Sequence, residues 1–189
     1  ALQINGTLTT LCLGQNGIGD GGAVALAGAL KVNTTLTELS LCENSIGDVG
    51  AVALAKALTV NRTLTSLNLD NNDIGDVSAK AIAEALKKNT TLTEIILGGN
   101  YVKNVGAKAI ADALKVNTAL TKLYLEDDAD YYMGDVGATA LTSAIASKEN
   151  IAMSSFDFER VGDVIDPSIK SALESNHKLV RKNSCKMER

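Results

Sequence analysis

The chain has 189 residues, 46% of them apolar, and a formal net charge of −4 with a pI near 5.0. An acidic balance argues against nucleic acid as the main partner, because neutralising phosphates needs a basic footprint, and no apolar run reaches the length of a membrane span. Aromatic residues make up 3% and tryptophan is absent, so the core must be packed from Leu, Ile, Val and Ala.

Leu2 and Ile4 come first, with no evident cap in front of them. Asn5, Asn33, Asn61, Asn89 and Asn117 then each open a block, every one 28 residues after the last, on the core pattern N-x-T-L-T-x-L-x-L-x-x-N-x-I-G-D-x-G-A-x-A-L-A-x-A-L. A fixed period of this size marks a solenoid, whose units cannot bury their apolar faces alone and must stack on their neighbours. Residues 1–149 are therefore expected to form five repeats. Such a stack exposes a long surface of variable positions, which makes binding a macromolecule the default function.

The second block shows how a unit builds itself. In Thr35-Leu36-Thr37-Glu38-Leu39-Ser40-Leu41 the Leu39/Leu41 alternation reads as a half-buried strand. Asn44 then starts a tight segment ending at Ile46-Gly47-Asp48, and Asp48 is expected to cap its own helix at the N-terminus. Ala51, Leu54, Ala55 and Leu58 follow at the spacing of a helical stripe. Strands in a sheet lie about 4.8 Å apart and packed helices about 8 to 10 Å, so the array must bend with strands on the concave side. Asn16, Asn44, Asn72 and Asn100 recur at the strand ends, where a buried amide can both donate to and accept from neighbouring backbone. The N-x-T sequons at Asn5, Asn33, Asn61 and Asn89 have two explanations. One is a secreted glycoprotein. The other is a helix-ending residue at φ > 0 followed by a turn threonine.

The pattern L-x-x-L-x-L-x-x-N, written by Leu36, Leu39, Leu41, Asn44 and again by Leu64, Leu67, Leu69, Asn72, resembles at this period the ribonuclease-inhibitor subfamily of leucine-rich repeats. That resemblance implies an α/β fold, a right-handed horseshoe solenoid with a parallel concave sheet and convex helices. The subfamily also includes arrays of NOD-like receptors, Ran GTPase-activating proteins and some effectors of intracellular bacteria. Its members share a scaffold rather than a partner.

Function is to be sought where a block departs from the pattern. The fourth block has Val102-Lys103-Asn104 in place of Ile-Gly-Asp and puts Tyr101 after Asn100. The fifth is longer by three residues between Leu125 and Gly134, and Asp128 replaces its ladder asparagine. All four tyrosines, Tyr101, Tyr124, Tyr131 and Tyr132, fall in these two blocks. Tyrosine suits a contact patch because it brings large area at low entropy cost; the alternative is an insertion packed on itself. Asp128 and Asp130 have the opening spacing of a calcium loop, but Tyr132 and Met133 stand where a ligand and a glycine are required. Concave positions carry Glu38, Glu43, Asp70, Glu94, Glu126 and Asp127 against Lys122 alone, whereas the helices carry most lysines. The expected partner-binding residues are therefore those acids with Lys122, together with Asp130, Tyr101, Tyr124, Tyr131 and Tyr132, and the expected partner is a protein with a basic surface.

Other motifs carry less. Gly17-Ile18-Gly19-Asp20-Gly21-Gly22 matches a dinucleotide loop, but the same segment recurs in the repeats without its first glycine. His177 is the only histidine, far in sequence from Cys12 and Cys42 and eight residues before Cys185, which leaves zinc and nucleophile–histidine sites poorly supported. The odd cysteine count suits a reducing compartment, with Cys12 and Cys42 as free thiols in different columns. Residues 150–181 read as a degenerate sixth repeat and C-terminal cap, with a helix starting at Asp166-Pro167, and residues 182–189 as a basic tail. The chain is expected to be a non-enzymatic, monomeric protein-interaction scaffold of the cytoplasm, with no cofactor, metal, nucleic acid or membrane partner. The alternatives are a regulator of an enzyme, such as a GTPase activator, a secreted pathogen effector acting on a host protein, and a structural spacer.

Overall fold

A computed structural model describes residues 1–125, 133–146 and 155–157 of the chain. Six three-residue strands, β1 (Thr10–Cys12), β2 (Glu38–Ser40), β3 (Ser66–Asn68), β4 (Glu94–Ile96), β5 (Lys122–Tyr124) and β6 (Ser155–Asp157), form one sheet in chain order. All pairs are parallel and in register, so that Thr10, Glu38, Ser66, Glu94, Lys122 and Ser155 make one column. Between them run α1 (Gly19–Leu30), α2 (Asp48–Leu58), α3 (Asp76–Leu86), α4 (Asn104–Leu114) and α5 (Asp135–Ala146), each packed against the next. The α/β solenoid expected from the period is the fold.

Its core is aliphatic. Leu36, Leu39, Leu41, Leu64, Leu67, Leu69, Leu92, Ile95 and Leu97 from the strand side meet Leu54, Leu58, Ile82, Leu86, Ile110 and Leu114 from the helices, all buried. The stripe of Ala51, Leu54, Ala55 and Leu58 is at most 1% exposed, as its spacing requires. Alanines at Ala51, Ala79 and Ala107 let adjacent helices approach closely while keeping high helix propensity. β6 lies where the sixth repeat begins, with Phe156 opposite Leu123. The rest of the expected cap over 150–181, including Asp166-Pro167, and the tail 182–189 lie outside the described residues.

The strand-end asparagines form the expected ladder. Asn44 accepts from the backbone amides of Asn16 and Ile18 and donates to the carbonyls of Leu13 and Cys42. Asn72 does the same for Asn44 and Ile46, and also donates to Leu41, Leu69 and Asp70.

The block-opening asparagines from Asn33 onwards form a second ladder that sequence reasoning missed. Asn61 donates to the carbonyls of Leu30 and Asn33 in the preceding repeat, and its Oδ1 accepts from the amides of Thr63 and Leu64; Asn33, Asn89 and Asn117 repeat the arrangement. None of the four has the left-handed backbone expected of it; among the described residues the non-glycine positions with positive φ are Gln15, Glu43, Ser45 and Asn71. The reason for asparagine at the helix end is thus its side-chain amide, not its φ. Burial of Asn33, Asn61 and Asn89 also puts their nitrogens out of reach of a glycosyl transferase once the chain has folded, whereas Asn5 is exposed.

The capping expectation needs a second correction. Asp48 makes no cap bond to α2, whose N-cap is Gly47. Its Oδ1 instead accepts from the amides of Gly75 and Ser78, at the start of the following helix, both at 3.1 Å. Asp20 serves Gly47 and Gly50 in this way, Asp76 serves Lys103 and Gly106, and Asn104 serves Gly137. The starts of α2 to α5, where unpaired amides and the dipole favour an acceptor, are each completed by the repeat before. A Cβ added at Gly50 would stand 2.8 Å from Asp20 Oδ1, which is why that position is glycine in the second and fourth repeats. At Ser78 the hydroxyl turns the crowding into a further hydrogen bond to Asp48. Burial opposes ionisation of Asp48, but the hydroxyl and amide of Ser78 with the amide of Gly75 outweigh it and hold the carboxyl below its ordinary value.

Candidate functional site

The loops leaving the strands form a rim beside the open face of the sheet. Gln15, Glu43, Asn71 and Gly99 occupy one place in successive repeats, and all four are left-handed, with φ of 61°, 54°, 52° and 58°. The bend keeps the parallel ladder going past the strand ends, since Gln15, Glu43 and Asn71 donate their amides to Cys42, Asp70 and Gly98 of the next repeat. Glycine takes this conformation freely, whereas an L-residue pays about 1 to 2 kcal/mol. Gly99 has no choice, because a Cβ there would collide with Oδ1 of Asn71. The three earlier repeats keep side chains in spite of the strain.

Glu43, Ser45, Asn71, Asn72, Asp73 and Tyr101 line a depression of about 330 Å³ in this rim. Ser45 is left-handed as well, with φ 52°, where the first repeat has Gly17. Two flanking contacts shape the wall: Gln15 donates to Glu43 at 3.0 Å, and Asn71 donates to Asp70 at 2.7 Å. The floor is the amide of buried Asn72, and Tyr101 is fixed by its own amide donating to the carbonyl of Ile74. The result is a polar hollow with two carboxylates and one phenol at its edge.

The expected site residues divide accordingly. Glu43 and Tyr101 are brought together in the depression, with Asp70 behind it, only 6% exposed. Glu38, Glu94 and Lys122 share a column of the open sheet face, and Lys122 pairs with Glu94 at 3.3 Å, which offsets part of the expected acidity. Glu38 remains exposed, with the hydroxyl of Thr10 donating to it at 3.5 Å. Tyr124 lies in the column of Cys12, Ser40, Asn68 and Ile96 but is 7% exposed. Glu126, Asp127, Asp130, Tyr131 and Tyr132 lie outside the described residues. Ser45, Asn71 and Asp73 were not anticipated; positive φ at a non-glycine position is the signal at Ser45 and Asn71, Asp73 is known only from lining the hollow, and no sequence pattern announces either.

On the helix side Lys87 pairs with Glu84 and Lys115 with Asp112, at 2.6 and 2.7 Å. The Lys115 ammonium holds the Asp112 carboxyl below the usual carboxylate range. Cys12 is free and exposed, but Cys42 is fully buried and disulfide-bonded, so the expectation of two free thiols fails there. Among the described residues no group of three or more His, Cys, Asp or Glu is placed to hold a metal ion, and no helix is long and apolar enough to cross a membrane.

A family model described as Leucine Rich repeat matches residues 5–27, 32–55, 60–83 and 88–111. No curated protein matches the chain. Among solved structures, one described as Leiomodin-1 Actin-Binding Site 2 (ABS2) is 28% identical with a TM-score of 0.66, over 77% of this chain and 83% of that one. A tropomodulin C-terminal domain from Caenorhabditis elegans is 14% identical with a TM-score of 0.63, over 75% of this chain and 84% of that one; it bears on the fold alone.

Proposed function

The chain belongs to the leucine-rich repeat family, and from that premise we propose that it is a protein-binding scaffold whose partner contacts the rim depression and the adjoining open face of the sheet. The observation that carries this reading is the set of side chains held in left-handed backbone around the hollow, Glu43, Ser45 and Asn71. Strain retained where glycine would relieve it is a mark of a position kept for what its side chain does. Glu43 and Asp73 give the hollow a negative edge suited to a basic side chain of the partner, and Tyr101 adds a surface on which its stem can pack. Glu38 extends the acidic surface, and Glu126, Asp127, Asp130, Tyr131 and Tyr132 are kept as candidate contacts on their sequence alone.

Actin is the first partner to assay, since the leiomodin structure is described by its actin-binding site. The experiment is retention of actin, and of proteins from a whole-cell extract, by the immobilised chain and by a Glu43→Lys, Asp73→Lys, Tyr101→Ala variant. The expected result is loss of the specific partner at unchanged melting temperature, with wild-type affinity falling steeply as salt is raised. Full retention by the variant, or affinity flat in salt, overturns the reading.

A further inference from the structure

The two asparagine ladders end differently in the first repeat. Asn5 and Asn16 are exposed, while Asn33, Asn44, Asn61, Asn72, Asn89, Asn100 and Asn117 are all buried. The buried amides are committed on both sides, as at Asn44, which donates to two carbonyls and accepts from two amides. Asn16 makes a single side-chain bond, donating to Gly14. Among the described residues Nδ2 of Asn5 donates to nothing, while its Oδ1 accepts from the amides of Thr7 and Leu8, which polarises the carbonyl. The residue that follows also differs: Asn5 precedes Gly6 and Asn16 precedes Gly17, whereas every buried member precedes Thr, Ser, Arg, Asp or Tyr. Neither glycine donates its backbone N–H among the described residues, and the space about each is open to 4 Å.

We propose that Asn16 and Asn5 are sites of spontaneous deamidation, a modification from which the buried ladder asparagines of the later repeats are protected. The amide nitrogen of Gly17 gives up its proton and attacks Cγ of Asn16. The new C–N bond closes a five-membered succinimide, the Cγ–Nδ2 bond breaks, and the nitrogen leaves with the proton as ammonia. Solvent water then opens the ring at either carbonyl, giving aspartate or isoaspartate; no oxidation state changes. Gly6 and Asn5 react in the same way. The unbonded N–H is the nucleophile, the absent side chain leaves the approach clear, and exposure admits the water. In the buried repeats the side chain that follows and the lack of solvent hold the reaction back, and at Asp73 and Tyr101 the backbone N–H is also committed, to the carbonyls of Ile46 and Ile74. Conversion at Asn16 removes the donor to Gly14 and places a new negative charge beside Gln15, the residue that contacts Glu43 at the edge of the depression.

The test is to age the purified full chain at neutral and mildly alkaline pH and to follow each asparagine by peptide mass mapping and by isoaspartyl methyltransferase labelling. Aspartate and isoaspartate should accumulate at Asn16 and Asn5 with Asn33, Asn44, Asn61, Asn72, Asn89 and Asn100 unchanged. Gly17→Ser copies the second repeat, where Ser45 holds φ 52° at the same place, so it should fold; it should slow conversion at Asn16 by an order of magnitude and leave Asn5 as before. A free peptide spanning residues 13–20 sets the unprotected rate. If Asn16 and Asn5 keep their amides while that peptide converts, or if buried asparagines convert as fast as these two, the proposal is wrong.

Discussion

The first repeat and the three that follow are spelled in nearly the same residues, yet they differ in physical state. Asn16 and Asn44 hold one place in their blocks; Asn44 is fully buried and Asn16 is exposed with one side-chain bond. Leu11 is only partly buried, whereas Leu39 and Leu67 in the same column are at most 2% exposed. The residue is the same and the neighbour is not. In a stacked array the junction between units, more than the unit itself, carries the stability.

The sharpest way to break this comparison is to remove the same amide from both regions. Asn72→Ala leaves the amides of Asn44 and Ile46 and three carbonyls without their partner, which should cost about 3 kcal/mol or more at roughly 1 to 3 per buried unsatisfied group. Asn16→Ala should stay within about 0.5 kcal/mol, as surface substitutions do. Equal losses in urea unfolding would mean that the first repeat is covered as well as the others.

Asp48→Ala probes a single junction, and the loss of a helix cap should cost about 1 kcal/mol at neutral pH. The folded state holds this carboxyl below its ordinary value of 3.8. Its contribution is therefore complete above that value and is lost as pH falls through the lower, folded one. The gap between wild type and Asp48→Ala, followed by unfolding at a series of pH values, should close in acid. Asp48→Asn, which imitates the neutral cap of Asn104 on Gly137 at 2.8 Å, should show no such acid dependence.

The smallest effect concerns the rim. Ser45→Gly restores what the first repeat has at Gly17, and relief of the left-handed strain, less the entropy cost of glycine, should raise stability by up to about 1 kcal/mol. A rise in melting temperature accompanied by weaker partner retention fits a side chain kept for binding. A fall in melting temperature would show that Ser45 stabilises the loop instead.

The strands, the helices, the apolar stripe and the Asn44–Asn72 ladder were all legible in the sequence, because each follows from periodicity within a block. Other contacts between blocks were not. Asp48 has a twin in Asp76, so a periodic chain does not say whether an acid serves its own helix or the next one. The nearest helix in sequence was the wrong choice. The same ambiguity hid the second ladder, where Asn61 reaches back to Leu30 and Asn33 and its spacing was explained by backbone conformation. Tyr101 was reached because it departs from the repeat, and Glu43 because it is an acid at a position expected on the concave side. Ser45, Asn71 and Asp73 were missed because their selection lies in φ and in a hollow shared by two or three repeats.

The forward-reaching acids and the backward-reaching asparagines have a consequence for how this chain can change length. The side-chain bonds that join one block to another span 26 to 31 residues through the first four repeats and 33 across the lengthened fifth, and the set is nearly the same at each junction. Excising or duplicating a whole 28-residue block returns the same partners to the same places, while a change of another size keeps them only where a loop absorbs it, as between Leu125 and Gly134, where the longer block still leaves Gly137 donating to Asn104. The gene can therefore lengthen or shorten the array in single whole steps, and the reach of its binding surface is set by how many steps it holds.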